Sequence, residues 1–287
     1  MPKDLSDFQT DKKSYYTFSV VTPSYNHGKF IAETIESVLS QEGDFGIDYI
    51  IMDGGSNDET ISIIKKYEDL MNNRKWKTRC NFIKYRWVTN KDKGQADAIN
   101  KGFEIAVGDI YSFLNSDDIY EPCAFKTISE KFKSLQNIDI IYGNAFYINE
   151  ISDIQGMYPS EDINRFNIFS CCFICQPALF MKKDVYQHVG RFNININNSF
   201  DYEYWLRIAA TKKFRFEYIR PILAASRMHK KNKTSLNRKE IYLEYFALMK
   251  IYNQKNDGKM RIGFVYDTSR FIKAISYIFE VISKVSH

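Results

Sequence analysis

The stretch Phe18–Ser56, FSVVTPSYNHGKFIAETIESVLSQEGDFGIDYIIMDGGS, decides the fold. The apolar run from Phe18 to Thr22 reads as a strand. After a turn at Asn26, His27 and Gly28, the apolar residues Ile31, Ile35, Val38 and Leu39 recur at helical spacing. A second strand, YIIM, ends at Asp53. Strand, helix and strand in this order make one unit of a mostly parallel sheet wrapped by helices.

The same alternation continues downstream. Ser56 followed by Glu59 is a capping-box pattern, which predicts a helix starting just after Gly55 and carrying Ile61, Ile64 and Tyr67. FIKYRWV is a third strand, and Ile99, Gly102, Phe103 and Ala106 share one face of the helix after it. IYSFL then runs into Asn115, Ser116, Asp117 and Asp118. Past residue 150 the pattern becomes irregular, with strand candidates at FICQPALFM and FEYIRPILAAS and a helix at DYEYWLRIAA between them. This half is expected to complete the sheet and to carry the acceptor side. The boundaries read as a tail over 1–17, a main domain over 18–237 with halves 18–150 and 151–237, and a helical, basic and amphipathic extension over 238–287.

With 287 residues, the chain is long enough for one large α/β domain and an appendage. A hydrophobic fraction of 44% argues against disorder, and a net charge of +5, small and dispersed, argues against a nucleic-acid surface. The start, MPKDLSDFQTDKK, lacks the apolar core of a signal peptide, and no run reaches the length of a membrane span, which points to the cytoplasm. Cys171, Cys172 and Cys175 are close in sequence, but they lie in an apolar run without a second ligand pair and read as buried, reduced thiols.

Ligands of open α/β sheets bind beyond the carboxyl ends of the strands. Thr22, Asp53 and Asp117 each follow a strand, so they are expected to converge on one cleft. Taken singly, each is a turn residue or helix cap; the joint arrangement favours a site.

Seven ordered motifs, VVTPSYN, MDGGSNDET, DKGQADAINKGFEIAVGDI, LNSDD, CQPALF, FDYEYWLR and SRMHKKNKT, resemble those of the inverting family-two glycosyltransferases with the GT-A fold, mostly builders of bacterial surface polysaccharides. The resemblance covers about Phe18 to Thr234. It implies a Rossmann-like, mixed but mostly parallel sheet flanked by helices. It also implies transfer of a sugar from a nucleoside diphosphate to an acceptor hydroxyl, with a divalent metal, Mn²⁺ or Mg²⁺. A hard cation on one or two carboxylates suits a leaving diphosphate, whose developing charge must be stabilised.

Residue by residue, LNSDD takes the place of the family's metal motif, with Asp117 as the final Asp and main ligand, Asp118 beside it, Ser116 in the loop, and Asn115 where the first Asp usually meets the ribose. Asp53 resembles the residue that hydrogen-bonds the nucleobase, and Thr22, Pro23 and Tyr25 the loop packed on that base, Tyr25 as a stacking ring. This favours a UDP-sugar, although guanine also offers a ring N–H. Gly54 replaces the second Asp of the commoner DDGS form and reads as a turn residue.

Gly94 permits close backbone approach, Asp97 meets the ribose or donor sugar, Asn100 reads as structural, and Gln176 is a candidate for the donor or acceptor pocket. An inverting transfer needs one base to take the acceptor proton. Asp201 matches the family's catalytic Asp, with Phe200 in place of the preceding Glu. Glu203 competes for the role, and a helix N-cap is the structural alternative for Asp201. His229 resembles a family His that reaches the metal or diphosphate, with Lys230, Lys231 and Lys233 closing over the phosphates.

After about Arg238 the resemblance fades. Tyr242, Tyr245, Phe246 and Met249, then Phe271, Ile275, Ile278 and Ile282, interleave with Arg261, Arg270, Lys273 and Lys284. This suits either a helix on the anionic inner face of the membrane, near a saccharide or lipid-linked acceptor, or a helix packed on protein. Two other functions share the cleft: a nucleotidyltransferase, against which the lack of a Gly-rich, Lys-bearing phosphate loop counts, and an inactive sugar-nucleotide-binding module, to which Asn115 and Phe200 lend support.

Overall fold

A computed structural model of the chain describes residues 15–230 and 232–255. The strands are β1 (Tyr16–Ser24), β2 (Gly43–Asp53), β3 (Cys80–Thr89), β4 (Ile110–Phe113), β5 (Ile119–Tyr120), β6 (Ile140–Ile148), β7 (Ile154–Met157), β8 (Leu179–Lys182) and β9 (Phe216–Arg227). The helices are α1 (Ile31–Leu39), α2 (Thr60–Asn72), α3 (Gln95–Ile105), α4 (Ala124–Ser134), α5 (Lys183–Val189), α6 (Phe200–Ala210), α7 (Lys233–Leu236) and α8 (Arg238–Lys255). One sheet runs in the order β3-β2-β1-β4-β8-β6-β9-β5, with β7 paired to β6. The first four strands in this order are parallel, β8 runs antiparallel to both its neighbours, and β6 and β9 are parallel. The sheet is thus mixed, mostly parallel, and continuous across residue 150.

Alternation along β1 distributes side chains to two cores. Phe18 and Val20 join Ile35, Val38, Ile64 and Phe125 under α1, α2 and α4. Val21 points to the opposite face, with Ile99 and Phe103 of α3 and Trp205 of α6. Because both faces are covered, β1 from Thr17 to Ser24 is buried throughout, as expected of a central parallel strand. Gly102 is where α3 comes closest to the sheet, since a Cβ there would lie 2.5 Å from Cγ1 of Val21.

Two sequence expectations are corrected. Helix α2 begins at Thr60, not just after Gly55. The Ser56 hydroxyl donates to Asp53 and accepts the Asn26 N–H, so it is not available as a cap, and Asp58 accepts the Thr60 N–H instead. Of FICQPALFM only the end is strand, in β8 (Leu179–Lys182), which runs one residue past it; Gln176–Ala178 is a 3₁₀ turn, where Pro177 has no N–H for a ladder.

Cys171, Cys172 and Cys175 are buried thiols, not joined in disulfides. Helix α8 packs Leu248 and Tyr252 into the core shared with α6. The expectations for the tail before residue 15, for Lys231 and for the basic–apolar pattern from Arg261 to Lys284 lie outside the described residues.

Candidate active site

The parallel order of β3, β2, β1 and β4 brings their carboxyl ends to one edge. At the end of β2, Asp53 is buried and highly connected: Oδ2 accepts the N–H groups of Gly55 and Ser56, both at 2.9 Å, and the Thr89 hydroxyl at 2.8 Å. Its Oδ1 accepts the Ser56 hydroxyl at 2.5 Å. At the end of β1, the Thr22 hydroxyl lies 3.1 Å from that of Tyr49, inside the protein, and Pro23 is buried. Tyr25 is the solvent-facing side chain of this loop, 60% exposed. A Cβ on Gly54 would lie 2.8 Å from a carboxylate oxygen of Asp92, so a side chain here would have to displace that carboxylate, and an acidic one would also meet its charge.

After β4 the chain turns through Asn115–Asp118. Asp118 is buried; its Oδ1 accepts the Arg227 N–H at 2.8 Å and its Oδ2 the Asn115 side-chain amide at 3.1 Å. Burial, then the charge of Asp117, pushes its carboxyl well above the usual range. Asn115 also accepts from Gln95 and lies 3.3 Å from Gln176, whose own amide donates to the Phe113 carbonyl at 2.7 Å. The Ser116 hydroxyl sits 2.6 Å from Nδ1 of His27. Asp117 is differently placed: its Oδ2 faces Nε2 of His229 at 3.0 Å.

Arg227, the last residue of β9, fixes this arrangement from below. Its side chain is fully buried. Nε donates to the Asp117 carbonyl at 2.8 Å, one terminal nitrogen donates to the Asn149 carbonyl and the Ser152 hydroxyl, and the other pairs with Glu33 at 2.5 Å. The guanidinium stands over the Phe30 ring at 5.1 Å. One residue thus joins β9, α1 and the loop after β6 to the backbone of Asp117. The sequence reading passed over it, along with His27 and Gln95. The signal was an Arg two residues before His229 at the end of a strand.

Asp201 lies in the first turn of α6, where the N-cap is Ser199, so Asp201 is not the cap. Its Oδ1 accepts the Tyr202 N–H at 2.8 Å. Burial raises the carboxyl to about 6. Phe200 is buried against Phe113, with ring centroids 6.0 Å apart, so the residue that replaces the family's Glu anchors α6 beside the end of β4. Glu203 is occupied otherwise: Arg207 grips both its oxygens at 3.1 Å and the Tyr252 hydroxyl donates to it at 2.7 Å.

The structure therefore brings together Asn115, Asp118 and Gln176 in one network and Asp117 with His229 in another. It does not join Asp201 to either by a hydrogen bond. Gly94, at φ 110°, is the N-cap of α3. Asp97, in the first turn of α3, pairs with Lys101 at 2.8 Å and accepts the Lys93 N–H at 3.0 Å. Asn100 is buried and exchanges two hydrogen bonds with the backbone of Phe192.

Residues 19–190 match the model of the family described as Glycosyl transferase family 2. An uncharacterised glycosyltransferase of Rickettsia typhi is 25% identical over 277 residues, 91% of this chain and 79% of the relative. Among solved structures, S. aureus TarS 1–349, also solved with UDP and with UDP-GlcNAc, superimposes with TM-score 0.60 at 17% identity over 86% of this chain and 67% of that one. A mannosyltransferase from Pyrobaculum calidifontis, in complex with GDP-Man and Mn²⁺, gives TM-score 0.60 at 14% identity over 88% of this chain and 67% of that one. The chain belongs to glycosyltransferase family 2 and has the GT-A fold. It is a glycosyltransferase, which sets aside the nucleotidyltransferase alternative.

Proposed function

We propose that this glycosyltransferase moves one sugar, with inversion, from a UDP-sugar to a hydroxyl of a saccharide or lipid-linked saccharide in cell-surface polysaccharide or glycolipid synthesis. The observation that carries the reading is the pairing of Asp117 with His229 on a loop clamped by Arg227. One carboxylate oxygen and one imidazole nitrogen fit a divalent ion that takes its other ligands from a diphosphate and water. Among the described residues no three His, Cys, Asp or Glu form a full protein cage. Asp117 and His229 would hold the ion, with Mn²⁺ favoured over Mg²⁺ by the nitrogen ligand, and Asp118 would brace the loop. When bound, the ion neutralises charge on the departing diphosphate.

The chain's own residues supply the rest. Tyr25 stacks on the base. Asp53 Oδ1, the less committed of its two oxygens, accepts a ring N–H. Asn115 and Asp97 reach the ribose and donor sugar, Gln176 lines the pocket, and Lys230 and Lys233 approach the phosphates. The Asp201 carboxylate takes the acceptor proton as the hydroxyl oxygen bonds to the anomeric carbon and the diphosphate leaves from the opposite face. Burial raises the basicity of this carboxylate, as proton abstraction from a hydroxyl requires.

On α8, exposed Tyr242, Leu243 and Phe246 with Lys250 support peripheral contact with the inner membrane face, where a lipid-linked acceptor would reside. No described helix is long and apolar enough to cross a membrane. Liposome flotation tests this contact; equal flotation after replacing the three apolar residues by Ser would remove it.

The deciding experiment is nucleotide release from UDP-, GDP- and dTDP-sugars with Mn²⁺, Mg²⁺ or EDTA, beside product analysis with acceptor. Release that needs metal, and an inverted product, support the reading. Metal-dependent donor binding without turnover would favour the inactive module.

A further inference from the structure

Helix α6, which carries Asp201, starts without the usual local cap. Its N-cap, Ser199, makes no side-chain capping hydrogen bond, and the buried Ser199 hydroxyl has no hydrogen-bond partner among the described residues. Unsatisfied amides at a helix start are costly and attract negative charge. The charge comes from another helix. Oε2 of Glu244, in α8, accepts the N–H of Ser199 at 2.8 Å and that of Asn198 at 3.2 Å. Oε1 lies 3.4 Å from the Asn198 side-chain amide, and Asn237 donates to the Asn198 side-chain oxygen at 2.9 Å.

The next residue of α8, and another two turns further on, grip α6 again. Tyr245 meets Tyr202 edge to face, with ring centroids 4.9 Å apart, and Tyr252 donates to Glu203. These contacts flank Asp201 on both sides in sequence. They come from residues beyond the segment that matches the family, which ends at 190.

We propose that Glu244 is a positioning residue that holds Asp201 in place by capping α6 from outside. The inference rests on the reading of Asp201 as the base. The charged and titratable groups facing Asp201 are Lys233 of α7, Glu244 of α8, and the Cys172 and Cys175 thiols ahead of β8. Burial is the main cause of its raised basicity; the backbone N–H groups of Tyr202 and of Asp201 itself come next and favour the ionised carboxylate, and among the charges Lys233 favours it too while Glu244 opposes it. Glu244 therefore has a second effect, in keeping Asp201 a stronger base than Lys233 alone would leave it.

The test compares Glu244→Gln with wild type and Asp201→Asn, using nucleotide release from UDP-GlcNAc, UDP-glucose and GDP-mannose, carboxylate NMR of Asp201, and thermal melting. Gln keeps an acceptor oxygen but not the charge. The expected result is a kcat lower by roughly 10- to 100-fold, as remote misplacement of a reacting group produces, with donor KM unchanged. The acid limb of the kcat profile and the Asp201 titration both move to lower pH. A merely structural cap would lower the melting temperature without moving either. Unchanged kcat and an unmoved Asp201 titration overturn the proposal while leaving the base assignment standing. Full activity of Asp201→Asn overturns both.

Discussion

The two residues to which the proposed mechanism assigns the chemistry are held in opposite ways. Asp117 is fixed through its backbone carbonyl while its carboxylate faces His229, whereas Asp201 is constrained by its helix and desolvated by its surroundings. Asp201→Asn is expected to lower kcat by roughly 10²- to 10⁴-fold, the usual contribution of a general base, with donor binding retained. The pH dependence follows from the sign of the shift. A base must be deprotonated, so kcat falls as pH drops through about 6, which a pH–rate profile reads directly.

Stability changes the other way, because a carboxyl raised in the folded state is stabilising while protonated and loses that contribution as pH rises through about 6. Asp201→Asn should therefore melt higher than wild type at neutral pH, by less than about 3 kcal/mol given that the carboxylate is only half-buried. Equal melting at pH 5 and pH 8 would contradict this. At the other pole, Asp117→Ala or His229→Ala is expected to weaken Mn²⁺ binding in a calorimetric titration.

At the scale of elements, short connections do the organising. Arg227 ties the end of β9 to α1 and to the loops after β4 and β6, and it has no substitute in size or donor number. Arg227→Met leaves buried carbonyl groups unpaired, with an expected loss of about 3–5 kcal/mol in denaturant unfolding. Gly102→Ala would force α3 away from Val21, costing about 1–3 kcal/mol. Gly54→Asp, which would restore the commoner family form, would turn the Asp92 carboxylate aside and set two like charges together, so its cost should shrink at low pH or high salt in thermal melting.

Much at this scale was legible in the sequence. The strands ending at Asp53 and in FIKYRWV, and the helices over Ile31–Leu39 and DYEYWLRIAA, follow from periodicity alone, since both faces of the sheet are covered. The start of α2 was not legible, because the capping box at Ser56 competes with Asp53 for the same hydroxyl, and only the folded loop decides between them.

In the whole molecule, the sheet built by β1 to β6 of the first half is completed by β8 and β9, with β7 added on β6, and α8 closes over the helix that carries Asp201. Truncation before Arg238 would delete Leu248 and Tyr252 and expose the face of α6 they cover, removing roughly 1.5–3 kcal/mol per large apolar side chain. The truncated chain is expected to melt several degrees lower and to lose activity together with stability.

The sequence by itself determined the alternation of elements, the strand ends at which polar residues gather, and the motifs that mark the family, because these depend on periodicity and local order. Only the tertiary structure decided that Asp117 meets His229, that Asp118 is committed to Arg227 and Asn115, that Glu203 is occupied by Arg207 and Tyr252, and that Glu244 caps α6. Apart from the local pairs Glu203–Arg207 and Asn115–Asp118, those pairings join residues on different elements. Local spacing cannot rank such partners; burial and the need to satisfy every buried polar group do.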